Sequence, residues 1–434
     1  MGGLVAALQA QTLGARVTLL EKGPTPGGSL ALSGGTLWCA RDYDDLRRLV
    51  PRGDPDLGRA LVDDFAAGVE WLRGQGATPT PLPSPPDRRV YWLEPGPPAF
   101  VAQMVDRLRA AGGALVMNAA AADLRLSYNG RVSGLRARVN GGVQSYDADA
   151  VILASGGFQA NPEMRARYFG PWSDRLVLRS NAHSTGDGFH MATAIGALPS
   201  AALGSFYGHL MPGPPAAVPA DDFIAYTQYH SGQAVLLNAH GERFTDESQG
   251  DETNNQAVLR QPEARAALVY DDVVYRAFAV RPAGGGARAS DTFYEAQALG
   301  APAATADSLA ALTDAMQAWG YHAPTALATL EEYNAAVREG RADRLRVPRR
   351  TTANPLTTPP FYALGVAPAI TFTLGGLRID RDARVLARDG QPIPGLYAVG
   401  ADTGGIYNEQ YAGGLCLGLV FGRRAAVHAV TGER

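Results

Sequence analysis

Two short stretches concentrate side chains that can hold or move a proton. They are "FYGHLMPG", with Tyr207 and His209, and "YTQYHSGQ", with Tyr226, Tyr229 and His230. A histidine binds a carboxylate when protonated and exchanges a proton near neutral pH, while a tyrosine sets a phenol donor on an apolar ring. Taken singly, each of these residues reads equally well as partly buried with a satisfied polar tip. A second set is marked by glycine rather than by acids and bases. "GPTPGGSLALSGG", "AVILASGGF", "STGDGFHMATAIGA" and "GLYAVGADTGG" each join an apolar run or a helix start to small residues that let backbone approach a ligand. Lys22 is the only lysine, so no buried lysine is at hand for Schiff-base or general-base chemistry.

Around the first glycines, Leu4 to Leu13 places apolar residues at helical spacing and Gly14 stops the run. "ARVTLLEK" then reads as a short buried strand ending in Glu21. A glycine-led helix followed by a strand that ends in an acid is the second half of a dinucleotide-binding βαβ unit, with pyrophosphate on the helix N-terminus and the carboxylate on ribose hydroxyls. An ordinary helix and strand with a chance acid accounts for the same residues. The strand that should precede the helix is absent from this sequence, so Met1 is read as an internal methionine of the glycine turn and the native chain is expected to start upstream.

The 434 residues exceed what one core usually organises, and 46% hydrophobic against 19% charged residues supports a large interior. A net charge of -3 and a pI near 6.2 give no footprint for nucleic acid and favour a small-molecule partner. Cys39 and Cys416 match no haem or zinc spacing, and no run approaches a membrane span, so a cytoplasmic protein with no integral membrane segment is expected. Glycine-rich texture at both ends and a Tyr-, His-, Pro- and acid-rich middle predict a discontinuous domain over 1–203 and 355–434 with a second domain, 204–354, inserted into it.

The end of the chain, "TFTLGGLRIDRDARVLARDGQPIPGLYAVGADTGGIYNEQYAGGLCLGLVFGRRAA", together with "HGERFTDES" and "LASGGFQAN", resembles the flavoprotein family of fumarate reductases, succinate dehydrogenase flavoprotein subunits, 3-ketosteroid dehydrogenases and tricarballylate dehydrogenases. The likeness runs over nearly the whole length. It implies an α/β fold: a doubly wound, Rossmann-like FAD-binding domain, here without its first strand, and an inserted α+β capping domain. By position it assigns Gly3, Glu21 and Lys22 to the ADP half of FAD. Gly28, Ser29, Ser33, Gly34 and Gly35 would line pyrophosphate and flavin, and Ala121 would meet adenine through backbone. Ala154, Ser155, Gly156 and Gly157 lie nearby, and Thr185, Gly186, Asp187 and Gly188 belong to the same surround. Gly400, Asp402, Gly414 and Leu415 would contact the flavin, where the N-terminus of a closing helix stabilises developing negative charge. No histidine lies in "GGSLALSGG", where relatives with a covalent flavin carry one, so noncovalent FAD is expected.

The implied reaction adds or removes two hydrogens across a carbon–carbon bond beside a carbonyl or carboxylate, with hydride passing to or from flavin N5 and a protein group handling the proton. Three positions depart from the dicarboxylate enzymes: Phe372 replaces a substrate-binding histidine, Tyr411 replaces an arginine, and Asp251 falls where a proton-donating arginine stands. Charge-assisted bonds are worth about 1.5–3 kcal/mol each, so their loss argues against fumarate or succinate. Tyr411 resembles the ketosteroid dehydrogenase tyrosine, where a phenol and a backbone N–H polarise a ketone. His209, Tyr229, His230 and Tyr411 are thus the catalytic candidates, with no metal and an unidentified electron acceptor or donor. A tricarballylate-like polycarboxylate dehydrogenase and a truncated, non-redox flavin-binding fold are the alternatives.

Overall fold

The computed structural model describes residues 1–283 and 288–432. The chain divides into two units: Met1–Phe169 with Ser180–Tyr207 and Phe372–Arg434, and Gly170–Arg179 with Gly208–Thr371.

In the first unit, the helix Gly2–Thr12 is buried through Leu4, Val5, Ala6, Ala7, Leu8 and Ala10. It packs along the closing helix Leu415–Thr431, and the contact needs glycine. A Cβ on Gly422 would come within 2.9 Å of the Gly2 carbonyl oxygen, and one on Gly418 within 2.7 Å of the Gly2 nitrogen. Thr18–Leu20 runs parallel to Ala114–Val116, and Val151–Leu153 runs parallel to Leu396–Ala398 of the strand Pro392–Ala398. Among the described residues no ladder joins these two parallel pairs. The start of the first helix lies against the far ends of the second pair, since a Cβ on Gly2 would meet Val399 at 2.8 Å and one on Gly3 would meet Ala154 at 3.2 Å. The carboxyl ends of parallel strands are where open α/β sheets receive nucleotides.

The second unit is built on one strand. Phe361–Ile370, "FYALGVAPAI", is buried at every position. It pairs antiparallel with Leu210–Pro212, Ala266–Tyr270 and Ala303–Ala306, and parallel with Val177–Leu178. Leu236, Leu268 and Leu364 share one core with Phe293 and Val274, while Val235, Val269 and Ala363 share another with Leu312 and Leu330. A continuous apolar run is what a strand covered on both faces requires. These ladders explain why the unit takes in Gly170–Arg179 and extends to Thr371, beyond the 204–354 read from texture along the chain.

Candidate active site

In the first unit the glycine-rich segments, far apart in sequence, meet. At the end of Thr18–Leu20, Glu21 Oε1 accepts from the Gly23 N–H at 2.7 Å. Lys22 Nζ reaches Thr185 Oγ1 at 2.5 Å and Asp187 Oδ2 at 2.8 Å, at the start of the helix Asp187–Ala194. Ser29 and Ser180 hydroxyls lie 2.8 Å apart, Ser33 Oγ accepts from the Gly35 N–H, and the Gly34 carbonyl accepts from Trp92. Gly28 at φ 53°, Gly35 at φ 74° and Gly186 at φ 84° turn the chain where other residues would be strained. Ala121 sits in the strand Ala119–Leu126 opposite Ala137. Ala154 and Ser155 are exposed, and Gly3, Glu21, Lys22, Gly28, Ser29, Ser33 and Gly34 are half-buried, leaving a partly open surface of small residues.

Asp402 is placed differently from an open contact. It is 1% exposed, with Oδ1 accepting from Ser155 Oγ and Oδ2 from the Gly156 N–H, both at 2.9 Å. Ser155 Oγ also accepts from the Gly188 N–H at 3.0 Å, so this carboxyl pins three segments inside the wall. Burial pushes its pKa up to about 7.

At the start of the closing helix, Tyr411 stacks on Tyr207 with ring centroids 3.8 Å apart, and Trp38 meets it edge-on at 5.4 Å. Phe372 lies 5.2 Å from the Tyr207 ring. The Gly414 N–H, just before the first helical residue, donates to the Tyr411 hydroxyl oxygen at 2.9 Å, which fixes the phenol against the start of the helix. The helices Gly2–Thr12 and Leu415–Thr431 have no acid in their first turns, which leaves their N-terminal dipoles without an anionic side chain. These observations fit a dinucleotide with its pyrophosphate and an electron-accepting ring.

The second unit gathers the titratable groups. His209, 3% exposed, bonds through Nδ1 to Asp251 Oδ2 at the first position of the helix Asp251–Leu259, and Glu252 lies beside them. Burial, with the nearby Arg179, holds His209 neutral by lowering its pKa to about 3. Burial raises Asp251 to about 6, and burial together with Asp251 raises Glu252 to about 7. The Tyr229 ring meets His209 edge-on at 4.7 Å. His230 is not part of this group. It is buried against Tyr270 at 5.0 Å, its Nε2 has no hydrogen-bond partner, and burial lowers its pKa to about 3. Arg179, which the sequence reading did not single out, donates to Thr227, Thr371 and Tyr229.

The arrangement defines a flavoprotein, and comparison with known proteins agrees. Residues 1–415 match the family model described as an FAD binding domain, and the chain belongs to that family. It is 27% identical to the NADH:fumarate oxidoreductase of Klebsiella pneumoniae over 98% of this chain, and spans 47% of that protein's length. Among solved structures it is similar to the open conformation of a flavocytochrome c3 fumarate reductase, at 25% identity and TM-score 0.73 over 99% of this chain and 76% of the other. In fold it also matches the 3-ketosteroid Δ1-dehydrogenase of Sterolibacterium denitrificans in complex with 1,4-androstadiene-3,17-dione, at 21% identity and TM-score 0.80 over 100% and 98% of the two chains. No helix among the described residues is long and apolar enough to cross a membrane.

Proposed function

We propose that this chain reduces or dehydrogenates a carbon–carbon bond next to a carbonyl or carboxylate, with FAD held noncovalently in the first unit and the proton handled in the second. The observation that carries the reading is the His209–Asp251–Glu252 group, His209 buried and the two carboxyls half-buried, with both carboxyls raised into the range where a proton is held or released near pH 7. Residues that would hold the dinucleotide are Gly3, Glu21 and Lys22, then Gly28, Ser29, Ser33, Gly34 and Gly35, Ala121, Ala154 to Gly157, Thr185 to Gly188, Gly400, Gly414 and Leu415, with Asp402 bracing the wall behind them. Bound FAD supplies two-electron exchange with the substrate carbon. Asp251 gives or takes the accompanying proton, Glu252 shares it, and neutral His209 fixes the Asp251 carboxyl. Noncovalent binding is supported by the absence of histidine from residues 27–35. Burial of Cys39 and Cys416 as free thiols supports a cytoplasmic setting.

The test is anaerobic mixing of the reduced, FAD-loaded chain with a conjugated enone or enoate, read by return of the oxidised flavin spectrum. Asp251→Asn keeps its flavin and loses about 100-fold or more of the rate constant, the usual reach of a general acid. A variant as fast as the parent removes Asp251 from the reaction.

A further inference from the structure

We infer that Arg179 and the Tyr229 hydroxyl form the anion-receiving end of the second unit's site, and that the ligand recognised there carries a carboxylate; this rests on the reaction proposed above. Arg179 is 4% exposed, yet every hydrogen-bond partner it has is neutral. Nε donates to Thr227 Oγ1 at 3.0 Å, Nη1 to Thr371 Oγ1 at 2.8 Å, and Nη2 to the Tyr229 hydroxyl at 2.8 Å. The Thr227 hydroxyl passes its own proton to the Phe223 carbonyl at 2.8 Å, and the guanidinium lies 4.7 Å from the Phe223 ring centroid. Among the described residues no carboxylate forms an ion pair with it.

That is not how this unit treats its other buried arginines. Arg243 and Arg349 share Glu247, with Arg243 Nε 3.0 Å from Oε1 and Arg349 Nη1 3.0 Å from Oε2. A guanidinium out of water without a counter-ion is costly, and an arriving carboxylate relieves that cost. Arg179 also has two N–H groups, one on each Nη, beyond the three bonds it makes, and Arg is the side chain whose fork matches a carboxylate. Tyr229 carries this charge toward solvent. It is 38% exposed, its oxygen accepts from Arg179, and its own O–H is therefore oriented as a donor. The same ring touches His209, so the anion would be held beside the proton-handling group. The other cation near Tyr229, Arg281, with its guanidinium 5.1 Å from the ring, directs Nη2 to the Ile224 and Ala225 carbonyls and to Ser290, while its buried Nε has no partner, so a second positive charge flanks this end.

The experiment uses the FAD-loaded chain with cinnamate and cinnamamide, which share a shape and differ in charge. Binding is read by perturbation of the flavin spectrum and, independently of the flavin, by thermal unfolding followed by circular dichroism. The parent binds cinnamate at least about tenfold more tightly than the amide. Arg179→Met weakens cinnamate by about 10- to 100-fold and leaves cinnamamide within about twofold, and Tyr229→Phe weakens cinnamate by a smaller factor. Without ligand, R179M melts at or above the parent temperature, as removal of a buried charge without a direct ion-pair partner should, even though Asp251 lies within its electrostatic reach.

Equal affinity for acid and amide overturns the inference. So does an R179M variant that loses both ligands alike or melts well below the parent, since either marks a structural arginine. If neither cinnamate, benzoate nor acetate raises the melting temperature in an Arg179-dependent way, it is likewise overturned. Cinnamate binding through Arg179 without any turnover would instead fault the proposed reaction and leave the anion site standing.

Discussion

At the scale of single side chains, the second unit's chemistry depends on which carboxyl keeps a proton. Asp251 and Glu252 are raised to about 6 and about 7, chiefly by burial, and titrate as a coupled pair. If reduction uses the protonated form, its rate constant is level below about pH 6 and falls by about tenfold per unit above about pH 7. Dehydrogenation shows the mirror profile. Pre-steady-state flavin reduction and reoxidation between pH 5 and 9 measure both, and a flat profile in each direction would remove the pair from the proton path. His209 and Tyr229 were legible in the sequence as a His and Tyr cluster. Arg179 was not, because "RLVLRSNAH" shows one more arginine in an arginine-rich chain. Its burial follows from the pairing of Val177–Leu178 with Ala369–Ile370, a contact that no local pattern announces.

At the scale of elements, the closing helix depends on how its first turn is seated. Gly413 has φ 99°, and a Cβ there would lie 2.1 Å from the Trp38 carbonyl oxygen. Gly413→Ala is therefore expected to cost more than about 2 kcal/mol in urea unfolding, through strain and overlap together. Tyr411→Phe removes only the acceptor of the Gly414 N–H and should cost about 1 kcal/mol on the same measurement. A larger loss in the second variant than in the first would reverse this ranking of backbone over phenol. The glycine-led closing helix and its tyrosine were readable from their order in the chain. The ownership of Phe361–Ile370 was not, since texture alone assigned it to the glycine-rich domain while its ladder partners, remote in sequence, draw it into the second unit.

At the scale of the whole molecule, buried acids couple stability to pH. Asp402 has a folded pKa of about 7 against an unfolded value of about 3.9, so its contribution is fully present below about pH 4 and is lost as pH rises through about 7. Asp251 and Glu252 act in the same direction. His209 and His230, lowered to about 3, act in the opposite one: their contribution is present above about 6.5 and is lost as pH falls toward 3. Asp402→Asn should flatten the decline of melting temperature between pH 5 and 8 relative to the parent, and an unchanged slope would show that this carboxyl is ionised throughout.

The contact between the opening and closing helices also sets an order of events during synthesis. Residues 170–371 contain every strand of the second unit's central sheet and leave the ribosome before the closing helix exists. The opening helix emerges before them, apolar on nearly every side, and its glycine-matched partner is translated after them. A nascent chain that has not reached residue 415 thus carries the opening helix without the surface it packs against.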